Sequence, residues 1–360
     1  MLGPSEERHF RVAPSLIADV GATNARFALL GPNGELQRIR VLVCEDFASI
    51  EAAIAAYLGE EPRPTDVQRI AAAALSVAAP VTDDQVTLTN HPWSFSISQL
   101  RRDLAVDRLI VVNDFTAVAA ATPYLKADEC SQVGGGTAAA RATIGVLGPG
   151  SGLGVGGLVP KEVAGWLPLA GEGGHATLPP ATARESTVID HMRRRFDHVS
   201  AERVLSGPGL VNLYNTLAEI DGVPAASYTS AQITDPRIGE RDPRCREAVD
   251  MFCAMLGTIA GNLALTLGAR GGIFIAGGIV PKLGNVFLAS SFRERFEDKG
   301  RMRPYVARIA TYVITHPFPA FLGLAALLAE CAHDRSTQYE VSEVTEKDPH
   351  HGRIEQRNGR

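Results

Sequence analysis

The sequence has little of the cysteine that stabilises small extracellular domains or builds zinc clusters. Its 360 residues include five cysteines, which are scattered, odd in number and nowhere spaced as Cys-x-x-Cys. This pattern argues against a disulfide framework and against a cysteine zinc site, and it favours a reducing compartment. A strong excess of one charge is also lacking, since the formal net charge is −5. We therefore expect no broad basic surface and no nucleic-acid partner.

The N-terminal segment lacks the apolar core of a secretory signal, so we expect a cytoplasmic protein. Long hydrophobic runs are rare as well. The exception is residues 251–269, MFCAMLGTIAGNLALTLGA, nineteen residues without a charge that are long enough to cross a membrane. Small residues recur in this run at spacings of three and four, which is typical of a helix packed closely inside a protein core. We predict a buried helix and no membrane partner.

The residues that are present, 45% hydrophobic and 21% charged, are typical of a globular chain with two sizeable cores. Short β-like runs alternate with helical segments throughout. The first half predicts three strands, a helix, a strand, a short helix, a strand and a helix, in which the strands include SLIADV, RFALL, RIRVLV and RLIVVND. The second half begins again with strand, glycine turn and strand in ATIGVLGPGSGLGVGGLVP, and later adds GGIFIAGGIV and ARIATYVIT.

Two glycine turns head the two halves, one at Gly21 and one at 148–157. This weak internal duplication predicts an α/β protein with two similar lobes and a cleft between them. The last helix, FLGLAALLAECAH, is expected to fold back on the first lobe. We assign residues 14–124 plus 318–334 to the first lobe and 125–317 to the second, and we expect the polar ends, 1–13 and 335–360, to be disordered.

The first glycine turn lies in IADVGATNARFAL, where an apolar strand leads to Asp19 and then to Gly21, Ala22 and Thr23. Glycine lets the backbone turn tightly, and successive main-chain N–H groups in such a turn can surround phosphate oxygens. A carboxylate beside the turn is well placed to hold a hydrated Mg²⁺. A plain hairpin, with the aspartate as a turn-forming residue, explains the same pattern equally well.

Two further glycine-rich segments can also be interpreted either as ligand-binding turns or as purely structural turns. Residues 148–159, GPGSGLGVGGLV, contain no lysine and open no helix, so they are neither the common phosphate loop nor a dinucleotide fingerprint. They fit a second phosphate-binding hairpin or a flexible loop. Residues 273–282, IFIAGGIVPK, lead a strand through a Gly-Gly turn into a helix, which fits a nucleotide contact or simply a tight turn.

Acidic residues and a histidine form another candidate group. Glu172 and His175 lie three residues apart around two glycines in AGEGGHATLPP, which also fits a polar surface turn. No cysteine ligands accompany them for a zinc site. Glu202 stands at the start of a helical pattern in HVSAERVLSGPG, where an acid is also expected simply to complement the helix dipole.

The segment LIVVNDFTAVAAATP, residues 109–123, carries an apolar strand directly into Asn113 and Asp114 and then into an apolar helix. A carboxylate at such a junction is costly unless it is paired or hydrated. Open α/β sheets place their ligands outside the carboxyl ends of strands. The position of Asp114 therefore predicts a functional site at this strand end.

Taken in order, DVGATNARFAL, NDF, GPGSGLG, EGGH, ERVLSGPGL and AGGIVP resemble the bacterial ATP-dependent glucokinase family, within the hexokinase, actin and Hsp70 superfamily. The resemblance covers about residues 14–332. It implies a two-lobed actin-like ATPase (ribonuclease H-like) fold, with mixed sheets flanked by helices, a smaller first lobe and an active-site cleft between the lobes. It also implies ATP-dependent phosphorylation of D-glucose at the 6-hydroxyl, the first step of glycolysis, with Mg²⁺ as cofactor and a homodimer as the assembly.

Residue by residue, the resemblance implies that Asp114 is the catalytic base and that Asn113 binds the sugar. Glu172, His175 and Glu202 match the residues that bind sugar hydroxyls. The matched ATP-binding positions are Ala18, Asp19, Val20, Gly21, Ala22, Thr23, Gly150, Ser151, Gly152, Gly277 and Gly278. Asp19 is further expected to hold Mg²⁺ through water. Ala22 replaces a more usual glycine, and alanine fits there if its φ is negative.

Three other functions are alternatives for this pattern: a non-sugar ATPase of the actin or Hsp70 type, a kinase for another hexose, and a sugar-binding regulator without turnover. The EGGH and ERVLSGPGL segments disfavour the ATPase, which would not need sugar contacts. No helix-turn-helix pattern precedes residue 14, which disfavours the regulator. The related ROK kinases resemble the first motif, but their Cys-rich zinc cluster is absent from the sequence. Nothing in the sequence separates glucose from other hexoses.

Overall fold

A computed structural model of the chain describes residues 13–59 and 70–333. The ends that the sequence predicts to be disordered, 1–13 and 335–360, lie outside the described residues except for residue 13. The strands are β1 (Ser15–Val20), β2 (Asn24–Leu30), β3 (Leu36–Val43), β4 (Ala73–Val77), β5 (Gln85–Thr87), β6 (Ser94–Ser96), β7 (Leu109–Asn113), β8 (Cys130–Gln132), β9 (Ile144–Pro149), β10 (Leu153–Pro160), β11 (Trp166–Gly171), β12 (Ile273–Ile275) and β13 (Thr311–Ile314).

The helices alternate with these strands in the first half of the chain and dominate the second half. They are α1 (Ile50–Gly59), α2 (Ile97–Asp103), α3 (Asp114–Ala121), α4 (Ala183–Met192), α5 (Gly207–Ile220), α6 (Ser230–Ile233), α7 (Pro236–Gly239), α8 (Pro243–Leu267), α9 (Ile279–Leu283), α10 (Asn285–Leu288), α11 (Phe292–Glu297), α12 (Arg303–Val306) and α13 (Pro319–His333). Short 3₁₀ turns connect several of them.

Two mixed sheets organise the molecule. The first has the strand order β3-β2-β1-β4-β7, and the second has the order β11-β10-β9-β12-β13-β8. In each sheet an antiparallel three-strand meander is followed by two strands parallel to its first strand. The second sheet thus repeats the first and adds β8 at its edge, which confirms the internal duplication predicted from the two glycine turns.

Some short strands were not predicted from the sequence. The missed elements are the small β5–β6 hairpin, the edge strand β8, and β11, the third strand of the second meander. β11 contains Pro168 and lies at the sheet edge, where a residue without an N–H donor is tolerated. β8 consists of only three residues, too few to show an alternating pattern.

Three apolar clusters make up the interior. One fills the first sheet with α1, α2 and the β5–β6 hairpin, and a larger one packs α4, α5 and α8 on the second sheet. The third joins the two sheets through α3 and α13, with Phe321 of α13 among its buried members. Packing of α13 against α3, β1 and β4 supports our proposal that 318–334 belongs to the first lobe.

The long uncharged run forms most of α8, which begins at the capping residue Asp242 and ends at Gly268, whose φ is 58°. By length and composition α8 is the one membrane-span candidate in the described part of the chain, and 72% of its apolar window is buried. Close packing depends on Gly257 and Gly261, since a Cβ atom at either would overlap the backbone of α11 at Phe292 or Phe296. The burial matches the predicted core helix.

Candidate active site

Asn113 and Asp114 form the junction between β7 and α3. The side-chain oxygen of Asn113 accepts hydrogen bonds from the amides of Phe115 at 2.9 Å and Thr116 at 3.3 Å, and so caps the helix. Its Nδ2 donates to the carbonyl of Ala79 at 3.3 Å. The Oδ1 of Asp114 also accepts from the amide of Phe115, at 2.8 Å. The strand end predicted from the sequence therefore presents a fixed carboxylate at a helix N-terminus.

The environment of Asp114 raises its pKa to about 6. Burial is the largest cause, because it disfavours the charged form, and the negative charges of Asp19 and Glu172 add to the effect. The hydrogen bonds from the Phe115 amide and Asn113 oppose it. A carboxylate whose pKa lies near neutrality is suited to accept a proton and to release it again.

Asp19, near the end of β1, is held by two donors. Ser76 Oγ donates to Asp19 Oδ1 at 2.9 Å, and Arg26 Nη1 donates to Oδ2 at 3.1 Å. Ser76 pairs with Asp19 in the parallel β1–β4 register and is fully buried. Sequence reasoning assigned no role to Ser76, although it is the one polar residue in the apolar run AAAALSVAA.

The turn from β1 to β2 lies at the same sheet edge as Asp114. β1, β4 and β7 are parallel neighbours, and their register aligns Val20, Val77 and Asn113. The Gly21 amide donates to the carbonyl of Asn24 at 3.0 Å, which closes the turn. Ala22 is not among the described non-glycine residues with positive φ, so the alanine that replaces a glycine is accommodated.

The turn between β9 and β10, residues 150–152, is fixed from two sides. Its own closing bond joins the Gly150 amide to the carbonyl of Gly152 at 2.8 Å, and the amide of Gly207, at the start of α5, donates to the Gly150 carbonyl at 2.8 Å. The Leu153 amide donates to Oε2 of Glu202 at 2.9 Å. Glu202 lies in a 3₁₀ turn, Ala201–Arg203, ahead of α5. The predicted second phosphate segment thus contacts a predicted sugar-binding residue.

Glu172 precedes the 3₁₀ turn Gly173–His175, directly after β11, and His175 is the last residue of that turn. Their side chains are exposed, with 3.9 Å between His175 Nε2 and Glu172 Oε2. The turn lies against the start of β10, where a Cβ atom on Gly174 would overlap the carbonyl of Leu153. The peptide groups of Leu153 therefore lie between this turn and Glu202.

The backbone also links the turn to Glu202, although thirty residues separate Glu172 from Glu202. The Ala201 amide donates to the Ala176 carbonyl at 2.9 Å, and the Leu178 amide donates to the Val199 carbonyl at 3.1 Å. This short pairing brings the turn that carries Glu172 and His175 next to the turn that carries Glu202. The structure thus gathers the three residues that the resemblance matched to hydroxyl binding.

Gly277 and Gly278 follow β12, as predicted from the Gly-Gly turn, and α9 begins at the next residue. Gly277 has φ 82°, a conformation that favours glycine. A Cβ atom there would overlap the carbonyl of Pro149, at the end of β9. The predicted adenosine segment therefore packs directly against the predicted phosphate hairpin.

A cavity of about 460 Å³ opens beside the turns that carry His175 and Glu202. Its lining includes His175 and Glu202, and it extends to Arg195, His198 and Arg203, which sequence reasoning did not select. Among the described residues, no cluster of three His, Cys, Asp or Glu side chains is arranged to hold a metal ion.

Comparison with known proteins identifies the family. The model of the glucokinase family matches residues 16–331. The glucokinase of Paramagnetospirillum magneticum is 50% identical over 315 residues, which cover 88% of this chain and 97% of that protein. The bifunctional protein glk of Paraburkholderia xenovorans is 48% identical over 323 residues, which cover 90% of this chain and 50% of that protein. This chain therefore spans half the length of the bifunctional relative.

The fold agrees with a solved relative. The crystal structure of glucokinase from an Antarctic psychrotroph superposes with a TM-score of 0.79 at 36% identity, and the match covers 88% of this chain and 99% of that chain. This agreement and the two mixed sheets confirm the two-lobed α/β fold that the sequence implied. The family match spans all six motifs on which the resemblance was based. The chain belongs to the glucokinase family.

Proposed function

We propose that the protein transfers the γ-phosphoryl group of ATP to the 6-hydroxyl of D-glucose, with Asp114 as the general base. The observation that carries this proposal is the partly buried Asp114 carboxylate, whose pKa is raised to about 6 beside Asp19 and Glu172. Membership of the glucokinase family and the 50% identity to a glucokinase support glucose as the acceptor.

Phosphoryl transfer requires little covalent chemistry from a protein, which acts mainly by positioning the reactants and stabilising charge. A sugar hydroxyl is too weak an acid to ionise beforehand, so a carboxylate in hydrogen-bond reach takes its proton as the new O–P bond forms. Asp114 takes that proton in our proposal. Asn113 keeps the carboxylate in place, because its oxygen caps the helix on which Asp114 stands.

The sugar ring offers hydroxyls that both donate and accept hydrogen bonds. Carboxylates are strong acceptors for such groups, and a histidine ring adds a donor or an acceptor according to its tautomer. Glu172, His175 and Glu202 are the hydroxyl-binding residues in this proposal, with Asn113 and Asp114 at the reacting end. This assignment is supported by two contacts with Leu153: its amide donates to the Glu202 carboxylate, and its carbonyl lies against the turn that carries Glu172 and His175.

The phosphates of ATP are assigned to backbone amides of two segments, 18–23 at the end of β1 and the turn 150–152, and the nucleoside is assigned to Gly277 and Gly278. Support comes from the packing of Gly277 on Pro149, which makes the last two segments adjoin. Successive N–H groups in tight turns form anion-binding concavities.

The carboxylate of Asp19 fits a hydrated Mg²⁺. Each of its oxygens accepts one hydrogen bond, from Ser76 or from Arg26, and a carboxylate retains further lone pairs for water molecules. Mg²⁺ usually keeps several of its waters and is bound through one or two carboxylates plus substrate phosphates. When bound, the ion neutralises phosphate charge, which favours attack by the sugar hydroxyl.

We further propose that the enzyme works in the cytoplasm, which its scattered cysteines favour, and that it is a homodimer, as the family resemblance implies. Light scattering of the purified protein coupled to gel filtration tests the assembly, and fractionation of the native cells tests the location. A monomeric mass at micromolar concentration would contradict the dimer.

A coupled assay of ADP release, with and without glucose, tests the proposed reaction. We expect ADP release that requires sugar and is highest with glucose among glucose, mannose and fructose. Equal release without sugar would indicate an ATPase of the actin or Hsp70 type. Greater turnover with another hexose would identify that hexose as the substrate, and no release under any condition would favour a sugar-binding regulator.

A further inference from the structure

Phe115, the residue after Asp114, lies against the glycine hairpin of the other sheet. A Cβ atom on Gly154 would overlap the Phe115 ring, and one on Gly148 would lie 2.8 Å from its Cζ. Gly148 and Gly154 face each other across the β9–β10 ladder. The phenyl ring therefore rests on a glycine pair two residues from either end of the phosphate turn, 150–152.

The contact continues beyond the hairpin. On Gly148 a Cβ atom would also lie 2.6 Å from the backbone of Ala276, the residue before the Gly277–Gly278 turn. The carbonyl of Phe115 lies 3.3 Å from a Cβ position on Gly156. The ring, the hairpin and the Gly-Gly turn thus pack on each other without intervening side chains, and Gly148 and Gly154 are needed for this close approach.

We propose that Phe115 is a positioning residue that fixes the distance from the Asp114 carboxylate to the phosphate turn. The inference rests on the proposed function. Asp114 follows β7 of the first sheet, whereas the phosphate turn joins β9 and β10 of the second sheet, so no short covalent connection holds them at one separation. Phe115 joins them, because its amide donates to both Asn113 and Asp114 while its ring lies on Gly154.

Small errors in this separation have large effects on turnover. The base, the sugar hydroxyl and the γ-phosphorus must meet in line, and a displacement of about 1 Å costs roughly 10²-fold in rate. A smaller side chain at Phe115 leaves the helix cap intact, since the cap uses only its backbone amide. Sugar binding is therefore retained while the alignment with ATP is lost.

Three variants test the proposal: Phe115→Leu, Gly154→Ala and the double variant. For Phe115→Leu we expect a fall in kcat of roughly tenfold to 10²-fold, with the Kd for glucose, measured by calorimetry, within about twofold of wild type. Gly154→Ala forces the ring to move and is expected to reduce kcat at least as much. Both substitutions change the same contact, between the side chain at position 115 and Gly154, so their effects should not be independent. The double variant should therefore lose less than the product of the two single losses.

Phe321→Leu is the matched control, because Phe321 is buried in the same apolar cluster but belongs to α13. It should lower the melting temperature to a similar extent and leave kcat within about twofold. The proposal is overturned by a kcat within twofold of wild type in Phe115→Leu, or by an equal loss in Phe321→Leu. Independent, multiplicative effects in the double variant would also overturn it.

The wild-type protein separates this inference from the proposed function. If wild-type protein releases no ADP with glucose, the proposed function fails, and glucose and nucleotide binding then show whether the chain is only a binding protein. If wild type is active and the Phe115 variants behave like Phe321→Leu, the positioning role alone fails. Calorimetric binding of a non-hydrolysable ATP analogue gives a readout that does not depend on turnover. We expect it to weaken in Gly154→Ala, and to weaken in the double variant by less than the product of the two single effects.

Discussion

The amide of Leu153 donates a hydrogen bond to Oε2 of Glu202 at 2.9 Å. This bond connects the first residue after the phosphate turn to a carboxylate that we assign to sugar binding. Glu202 therefore has two tasks in the proposed enzyme, since it contacts the sugar and holds the hairpin that contacts ATP. Glu172, which lies nearby with an exposed side chain, has only the first task.

Removal of the Glu202 carboxylate should weaken the binding of both glucose and ATP. For Glu202→Ala we expect KM to rise for glucose and for ATP, each by about tenfold, because a charge-assisted hydrogen bond contributes about 1.5–3 kcal/mol. Glu202→Gln keeps an acceptor for the Leu153 amide and should restore much of the ATP KM. A rise confined to glucose would show that the Leu153 bond has no effect on the phosphate turn.

Removal of the Glu172 carboxylate should weaken the binding of glucose but not that of ATP. We expect Glu172→Ala to raise the KM for glucose by about tenfold and to leave the KM for ATP within about twofold. Glu162→Ala, in the exposed connection between β10 and β11, serves as a matched control and should change neither constant. Initial-rate kinetics with each substrate varied in turn provide the comparison, and equal effects on both substrates would count against a sugar contact.

The rate should depend on pH through Asp114. A general base must be ionised, so kcat/KM for glucose is expected to fall below about pH 6, the raised pKa of Asp114. Glu172 contributes to that raised pKa through its negative charge. Glu172→Gln should therefore move the acid limb of the profile to lower pH, and a shift to higher pH would contradict the charge coupling.

The raised pKa of Asp114 should also make the stability of the folded chain depend on pH. Because the pKa of Asp114 is higher in the folded chain than its ordinary value of 3.8, ionisation costs stability as pH rises through about 6. Asp114→Asn removes this cost, so its advantage in unfolding free energy over wild type should be larger at pH 8 than at pH 5, by roughly 1 kcal/mol. Urea unfolding of both proteins without ligands, at the two pH values, measures the difference. An advantage independent of pH would exclude the titration of Asp114 as its source.

Much of this fold is predictable from local patterns. The strands at 15–20, 24–30 and 109–113 and the helix at 243–267 show clear periodicity or apolar runs, and glycine turns mark the two meanders. β8 escapes prediction because three residues are too few to show an alternating pattern, and β11 because it contains Pro168, which argues against a strand except at a sheet edge.

Some residues of the site are likewise predictable from sequence motifs, whereas others are recognised only from the structure. The sequence motifs identify Asp19, Asp114 and Glu172 as candidates, and in the structure the charges of Asp19 and Glu172 raise the pKa of Asp114. Ser76 and Phe115 have no such signal, because their partners, Asp19 and Gly154, lie far away along the chain. Backbone pairing near residues 176 and 201, which unites Glu172 with Glu202, is also visible only in three dimensions.

The central claim is that Asp114 accepts the proton of the sugar hydroxyl, and Asp114→Asn tests it most directly. The asparagine has nearly the same shape and can still form a hydrogen bond to the hydroxyl, but it cannot take the proton. We predict that kcat falls by about 10²–10⁴-fold while the calorimetric Kd for glucose stays within about threefold of wild type. A kcat close to that of wild type would contradict the account.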